Sequence, residues 1–228
     1  MSKKVLTLLG STRGRKTASE SIVNYLFEKK EFKQMELSKY LAHEIFKKKE
    51  KLDEFLLAAK NADTIIISSP VYVHSLPYPL TVVLESMADK ENKDCWQGKN
   101  FFAIIHCGYP EEIQRKASLD ICKNFANQTA MNWMGGIGFA GTPIIDGRPL
   151  EEVGMFTKWM RKALDELCIS IIQGTEISQK AYKLAKKDRP PIPVRILKTL
   201  MNIMIKKAAK KNKVDFYAQP YIDNKEKV

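Results

Sequence analysis

The stretch VLTLLGSTRGRKTASESIVNYL, Val5 to Leu26, decides how the rest of the chain is read. Val5 to Leu9 is a short apolar run with only Thr7 inside it. A strand covered on both faces needs no polar alternation, so this run predicts a buried strand. Beyond the turn, Ile22, Val23 and Leu26 recur at helical spacing, with Ser19 or Ser21 placed to cap the helix. A strand, a small polar turn and a helix set backbone N–H groups at the positive end of a helix dipole. That geometry suits an anion.

Two kinds of anion compete for it. Gly10 to Thr17 reads GSTRGRKT, one substitution away from the nucleoside-triphosphate loop G-x-x-x-x-G-K-[ST]. The defect is Arg15, which stands where a second glycine would let the backbone curl against phosphates. Such a site also needs a carboxylate at the end of a later strand to position magnesium. The obvious later strand, Thr64 to Ser68, runs on into SSPVY without an acid. A phosphomonoester asks for less: hydroxyls, backbone N–H groups and one cation. Ser11, Thr12, Thr17 and Ser19 supply the hydroxyls, and Arg13 a charge-assisted bond.

At 228 residues the chain fits one α/β domain with additions. No apolar run reaches the roughly 18 residues of a membrane span, and Lys3 and Lys4 lead straight into the first strand. A cytoplasmic location is therefore the expectation. Cys95, Cys107, Cys122 and Cys168 stand far apart with no C-x-x-C pair, a pattern that argues against cysteine-held zinc or iron–sulfur. The net charge of +12 raises nucleic acid as a partner. Yet the lysines scatter over helix faces and crowd toward the C-terminus without interleaved aromatics, which argues against it.

Strand-like and helical segments alternate along the chain. Phe32 to Leu37 reads as a short second strand, Thr64 to Ser68 as a third, Phe101 to His106 as a fourth and Met131 to Phe139 as a fifth. Between them lie a helix with Leu52, Phe55, Leu56 and Ala59 on one face, one opened by Pro77 and Pro79, and one from about Glu112 to Asn127. This alternation predicts a parallel sheet with helices on both faces, its ligands at the carboxyl ends of the strands. Every distinctive loop lies at such an end. After the third strand comes SSPVYVHSLPYPL, where Pro70, Val71 and Tyr72 form a flat apolar wall. After the fourth comes HCGYPEE, where Gly108 permits close backbone approach and Tyr109 offers a second ring.

Together the three loops resemble the flavodoxin-like superfamily, specifically its NAD(P)H-dependent flavin mononucleotide (FMN) reductases and iron–sulfur flavoproteins, here without the cluster cysteines. Gly10, Ser11 and Arg13 look like the G-S-x-R phosphate turn of that group, with Thr17 and Ser19 leading into the helix. SSPVY is similar to the segment against the isoalloxazine ring, and CGYPE to the loop at the pyrimidine end. The likeness spans roughly residues 3–141. It implies a flavodoxin-like, doubly wound five-stranded parallel sheet of order 2-1-3-4-5 with additional C-terminal helices. It also implies an FMN site built from Ser11, Thr12, Arg13, Thr17, Ser19, Pro70, Val71, Tyr72, Val73, Cys107, Gly108 and Tyr109. The implied activity is an NAD(P)H oxidoreductase that reduces a small acceptor such as a quinone, flavin or nitroaromatic. An electron carrier for a protein partner and a cofactor-free interaction module are the alternatives. His74 is a candidate for a flavin carbonyl or a substrate, and Trp133 for a wall of the site or for core. No catalytic residue is named, because the cofactor carries the chemistry.

Residues 142–228 read as a helical extension packed on the core (residues 1–141) or on a second subunit, which makes a homo-oligomer the expectation. Glu151 to Gln173 reads as one long helix with Phe156, Met160, Ala163, Leu164 and Leu167 inward. Further on, Ile196, Leu197, Leu200, Met201, Met204 and Ala208 form an apolar stripe flanked by Arg195, Lys198, Lys206 and Lys210. A basic amphipathic helix over residues 194–211 packs within the protein or lies on a membrane surface.

Overall fold

The computed structural model describes residues 2–89, 92–186 and 194–217. Its chain divides into two compact units, residues 1–189 and 190–228. The first is built on five strands: β1 (Lys4–Leu9), β2 (Glu36–Leu41), β3 (Thr64–Pro70), β4 (Asn100–His106) and β5 (Asn132–Phe139). All pair in parallel, in the order β2-β1-β3-β4-β5. This is the flavodoxin-like arrangement, and every strand delivers its C-terminal loop to the same edge of the sheet.

The central strands alternate between two cores, as the period of two requires. Val5, Ile66, Phe102 and Ile104 join α1 (Ala18–Phe27) and α6 (Lys158–Gln173), with α7 (Gln179–Ala185) beside them. On the other face Leu6, Leu8, Ile65, Ile67, Phe101 and Ile105 meet α2 (Ala42–Ile45), α3 (Lys49–Asn61), α4 (Tyr78–Ala88) and α5 (Ile113–Gln128). Both faces are dry, so the strands carry continuous apolar runs.

Three local readings are corrected. Phe32 to Leu37 is not the second strand: Lys30–Gln34 is a 3₁₀ turn that buries Phe32 completely, and β2 begins at Glu36. An edge strand with one half-open face lacks the apolar density that marks its neighbours, so its boundary was displaced. The helix after β1 is capped by Thr17 rather than Ser19 or Ser21, its hydroxyl accepting from the Glu20 N–H at 3.3 Å. Glu20 reaches back to the Lys16 N–H at 2.7 Å, a variant of the capping box. The long helix from Glu151 is broken. Gly154 has φ +67, Gly154–Thr157 forms a 3₁₀ turn, and α6 starts only at Lys158 with Phe156 half-buried.

The second unit contains α8 (Val194–Lys211), described below by itself. Pro190, Pro191 and Pro193, which precede it in the sequence, lie outside the described residues.

Candidate active site

Three loops at the carboxyl ends of β1, β3 and β4 enclose a cleft of about 510 Å³. Ser11, Arg13, Thr17, Ala18 and Ser19 line it from the first loop, Pro70, Val71 and Tyr72 from the second, and His106, Cys107 and Gly108 from the third. Thr142, Pro143 and Asp146, just after β5, close the remaining side. The volume falls in the range of small-molecule and cofactor sites.

The β1–α1 turn is tied down from several directions. The Gly10 N–H donates to the Ser68 carbonyl at 2.9 Å, and the Ser68 hydroxyl donates to the Ser19 carbonyl at 3.1 Å. A side chain at Gly10 would collide with Ser69 and Leu80, so only glycine lets the turn come this close to β3. From the far side Gly147, at φ +75, lies against the Lys16 backbone where no Cβ fits. Arg13 reaches Asp146 at 3.4 Å, an exposed pair between the turn and the post-β5 segment.

The donor inventory of this turn decides what it can hold. Ser11 Oγ accepts from the Arg13 N–H at 3.3 Å, and Thr17 Oγ accepts from Glu20. Each hydroxyl therefore keeps its own proton to donate. Two hydroxyl protons, a guanidinium and the N-terminus of α1 make a donor set for an anion.

Ser19 is different. It is fully buried, with Oγ 2.8 Å from His106 Nε2. Thr142 donates its hydroxyl to the Cys107 carbonyl at 3.1 Å, so at 3.1 Å from His106 Nδ1 it accepts the ring proton. Burial holds His106 neutral, its pKa pushed from the ordinary 6.5 down to about 3. A neutral ring with its proton on Nδ1 presents a lone pair at Nε2, and Ser19 donates into it. Ser19 thus braces the turn against β4 instead of offering a proton to a ligand.

Of the other residues expected at the site, Thr12 bonds through its hydroxyl to the Tyr72 phenol at 3.2 Å, joining two loops across the cleft mouth. Cys107 is buried, its thiol donating to the Tyr109 carbonyl at 3.2 Å and receiving Arg115 Nη1 at 3.3 Å. Val73 and Tyr109 do not reach the cleft walls; both are exposed. Tyr72 to Ser75 form a tight turn closed by paired backbone bonds of 2.9 and 3.0 Å. Val73 and His74 sit at its tip with φ +49 and +63. Trp133 lies at the start of β5, at the end of the sheet away from the loops, against Phe101 with ring centroids 6.0 Å apart. It is core.

The sequence reading missed His106, Thr142, Pro143 and Asp146. His106 ends the fourth strand and opens the HCGYPEE loop, and nothing local marks it as a residue of the site. The other three follow β5, and the rule that ligands gather at strand ends applied to GTPIIDG as well as to the earlier loops.

The model of the NADPH-dependent FMN reductase family matches residues 3–133, more than half of the chain and both β1 and β4 loops. The chain belongs to that family. Its cofactor is FMN and it is an oxidoreductase. Among curated proteins none matches by sequence. Solved structures share the fold at low identity. An FMN-dependent NADH-azoreductase from Bacillus anthracis, in complex with FMN, is 13% identical, with a TM-score of 0.55 over 75% of this chain and 100% of that one. The apo form of the NADH:FMN oxidoreductase EMOB is 16% identical, TM-score 0.54, over 74% and 90%. RosB with a bound formylriboflavin phosphate intermediate is 11% identical, TM-score 0.55, over 95% and 90%.

The cleft fits FMN on its own chemistry. Donors and a cation line it from the β1–α1 turn, and the apolar side chains of Pro70 and Val71 line it with Gly108 from the β3 and β4 loops. A phosphorylated, flat heterocycle asks for that division.

Proposed function

We propose that this cleft holds FMN through Ser11, Arg13, Thr17 and the first N–H groups of α1 at the phosphate, with Pro70, Val71, Tyr72, Cys107 and Gly108 along the ring. Residues 1–141 then supply the greater part of the binding core, and the segment after β5 adds Thr142, Pro143 and Asp146. The observation that carries this reading is the convergence of three separate loops on one cleft to which a single turn contributes Ser11, Arg13 and Thr17. When bound there, FMN would supply the hydride and electron-transfer chemistry between NADH or NADPH and an acceptor.

The protein's part is binding, orientation and exclusion of water. Arg13 is free to turn from Asp146 toward a phosphate, exchanging an exposed ion pair for a charge-assisted bond. Ser19 and His106, locked to each other, keep the turn from spreading. The side chains of Pro70 and Val71 carry no hydrogen-bonding group, and the Val71 N–H is already spent on the His106 carbonyl, so they leave a ring face dry. A strongly basic chain draws an anionic dinucleotide more than a basic protein partner. For that reason the acceptor is read as a small molecule, a quinone, free flavin or nitroaromatic, ahead of a redox protein.

The test is spectroscopic. The purified protein takes up FMN and absorbs near ~450 nm as oxidised flavins do. Under anaerobic conditions NADH or NADPH bleaches that band quickly, and quinone or nitroaromatic restores it. A protein that ignores added FMN would overturn the cofactor assignment. Bleaching only by a reduced protein partner would overturn the small-molecule reading while leaving the cofactor in place.

A further inference from the structure

Helix α8 carries a chemistry that the flavin site does not use. Over Val194–Lys211 it has six lysines and arginines (Arg195, Lys198, Lys206, Lys207, Lys210 and Lys211) and no aspartate or glutamate. Eighteen residues thus carry +6, half of the +12 of the whole chain. At 100° per residue Ile196, Met201, Ile203, Met204 and Ile205 fall within one broad arc, all five are exposed, and only Lys207 and Lys211 of the last turn interrupt that arc with charge. Lys198, Lys206 and Lys210 hold the opposite side. Just beyond the helix the exposed rings of Phe216 and Tyr217 lie 5.6 and 5.1 Å from Lys206 Nζ.

We infer that α8 is a docking helix for an anionic lipid surface. An arc that is apolar through the first three turns, gives way to lysines in the last turn and is followed by aromatics matches a helix that lies in the plane of the headgroups. No helix among the described residues is long and apolar enough to cross a membrane, so the contact is at the surface. Charge selects the occupant. A second copy of α8 brings a second +6 with no acidic residue on either helix to offset it, whereas a leaflet rich in anionic lipid supplies the opposite sign. Lys207 and Lys211 within the arc, and the lysines beside it, extend their stems along the acyl boundary and keep their ammonium groups at the phosphates.

The experiment is sedimentation of the full chain, loaded with FMN, with sucrose-filled vesicles. One set is phosphatidylcholine alone and the other contains a third phosphatidylglycerol. Binding is expected to the anionic vesicles roughly tenfold or more tighter than to neutral ones, and to weaken with salt. The double variant Ile196→Asn/Met204→Gln keeps every charge and stands outside the cleft. It is expected to lose binding at least tenfold while retaining the flavin spectrum and melting temperature. Equal binding by the variant would mean that general basicity accounts for the attraction, and would overturn the assignment. So would no binding at low salt, or a dimer in solution that the variant dissociates while the parent ignores vesicles.

Discussion

The two turns that face each other across the cleft mouth are built in opposite ways. The β1–α1 turn is held by β3 through Gly10 and Ser68, by β4 through Ser19 and His106, and by the post-β5 segment through Gly147. The Tyr72–Ser75 turn is closed mainly on itself, with one phenol–hydroxyl bond to Thr12. Its tip carries a β-branched residue in the left-handed region, 94% exposed. A turn fixed from three sides suits the unvarying part of a cofactor, its phosphate. A self-contained, strained turn at the rim suits a partner that changes from one turnover to the next.

If the first turn is the phosphate cradle, the largest effect belongs there. Removing Ser11 Oγ and the Arg13 guanidinium together is expected to weaken FMN by roughly 2–3 kcal/mol, about 30- to 150-fold, the scale of lost bonds to a charged group. Riboflavin, which has no phosphate, should bind parent and variant alike. Fluorescence titration of both ligands measures it. Equal losses for the two would place the phosphate elsewhere and dissolve the contrast between the turns. Next in size is Gly10→Ala. The added methyl must push Ser69 and Leu80 aside, and overpacking of this kind costs about 1–3 kcal/mol in urea unfolding.

Much of this was legible in the sequence because burial writes itself into composition. β1, β3 and β4 are covered on both faces, and their apolar runs gave both their positions and the loops that follow. β2 lies at the sheet edge, where half-open packing tolerates Glu36, Ser38 and Lys39, and its pattern faded. The cleft was harder. Its first three loops carry small polar residues, proline and glycine, which betray a turn. His106 ends an apolar strand, and nothing local distinguishes a histidine that braces a serine from one that fills space. Its role exists only because residues 87 and 36 positions away fold onto its two nitrogens.

That brace has a pH signature. The folded chain holds His106 neutral down to about pH 3, whereas the unfolded chain protonates it near 6.5. Between those values the unfolded state binds the extra proton, so stability rises with pH across the window and is lost as pH falls from about 6.5 toward 3. Well inside the window the slope approaches about 1.4 kcal/mol per pH unit. His106→Gln keeps a polar group at the site and removes the titration. Urea midpoints at pH 7, 6 and 5 should decline less steeply in the variant. Parallel declines would show that His106 is not what makes the cradle acid-sensitive.

The smallest effect tests the rim. A left-handed conformation costs a non-glycine residue about 1–2 kcal/mol, and the β-branched Val73 pays it at φ +49 with its side chain in solvent. Glycine removes that strain and returns part of the gain as greater freedom of the unfolded chain. Val73→Gly is therefore expected to stabilise by roughly 0.5–1 kcal/mol. For a compact unit of about this size that raises the melting temperature by about 1–4 °C. Because Val73 does not touch the cleft walls, FMN affinity should stay within about twofold, which is under 0.5 kcal/mol. The KM for a quinone acceptor is the quantity expected to move, since the tip that meets it has been changed. A fall in melting temperature would mean that Val73 makes a contact worth more than its strain. A marked loss of FMN would mean that the rim belongs to the cofactor as much as the opposite turn does, and the division of labour between them would be gone.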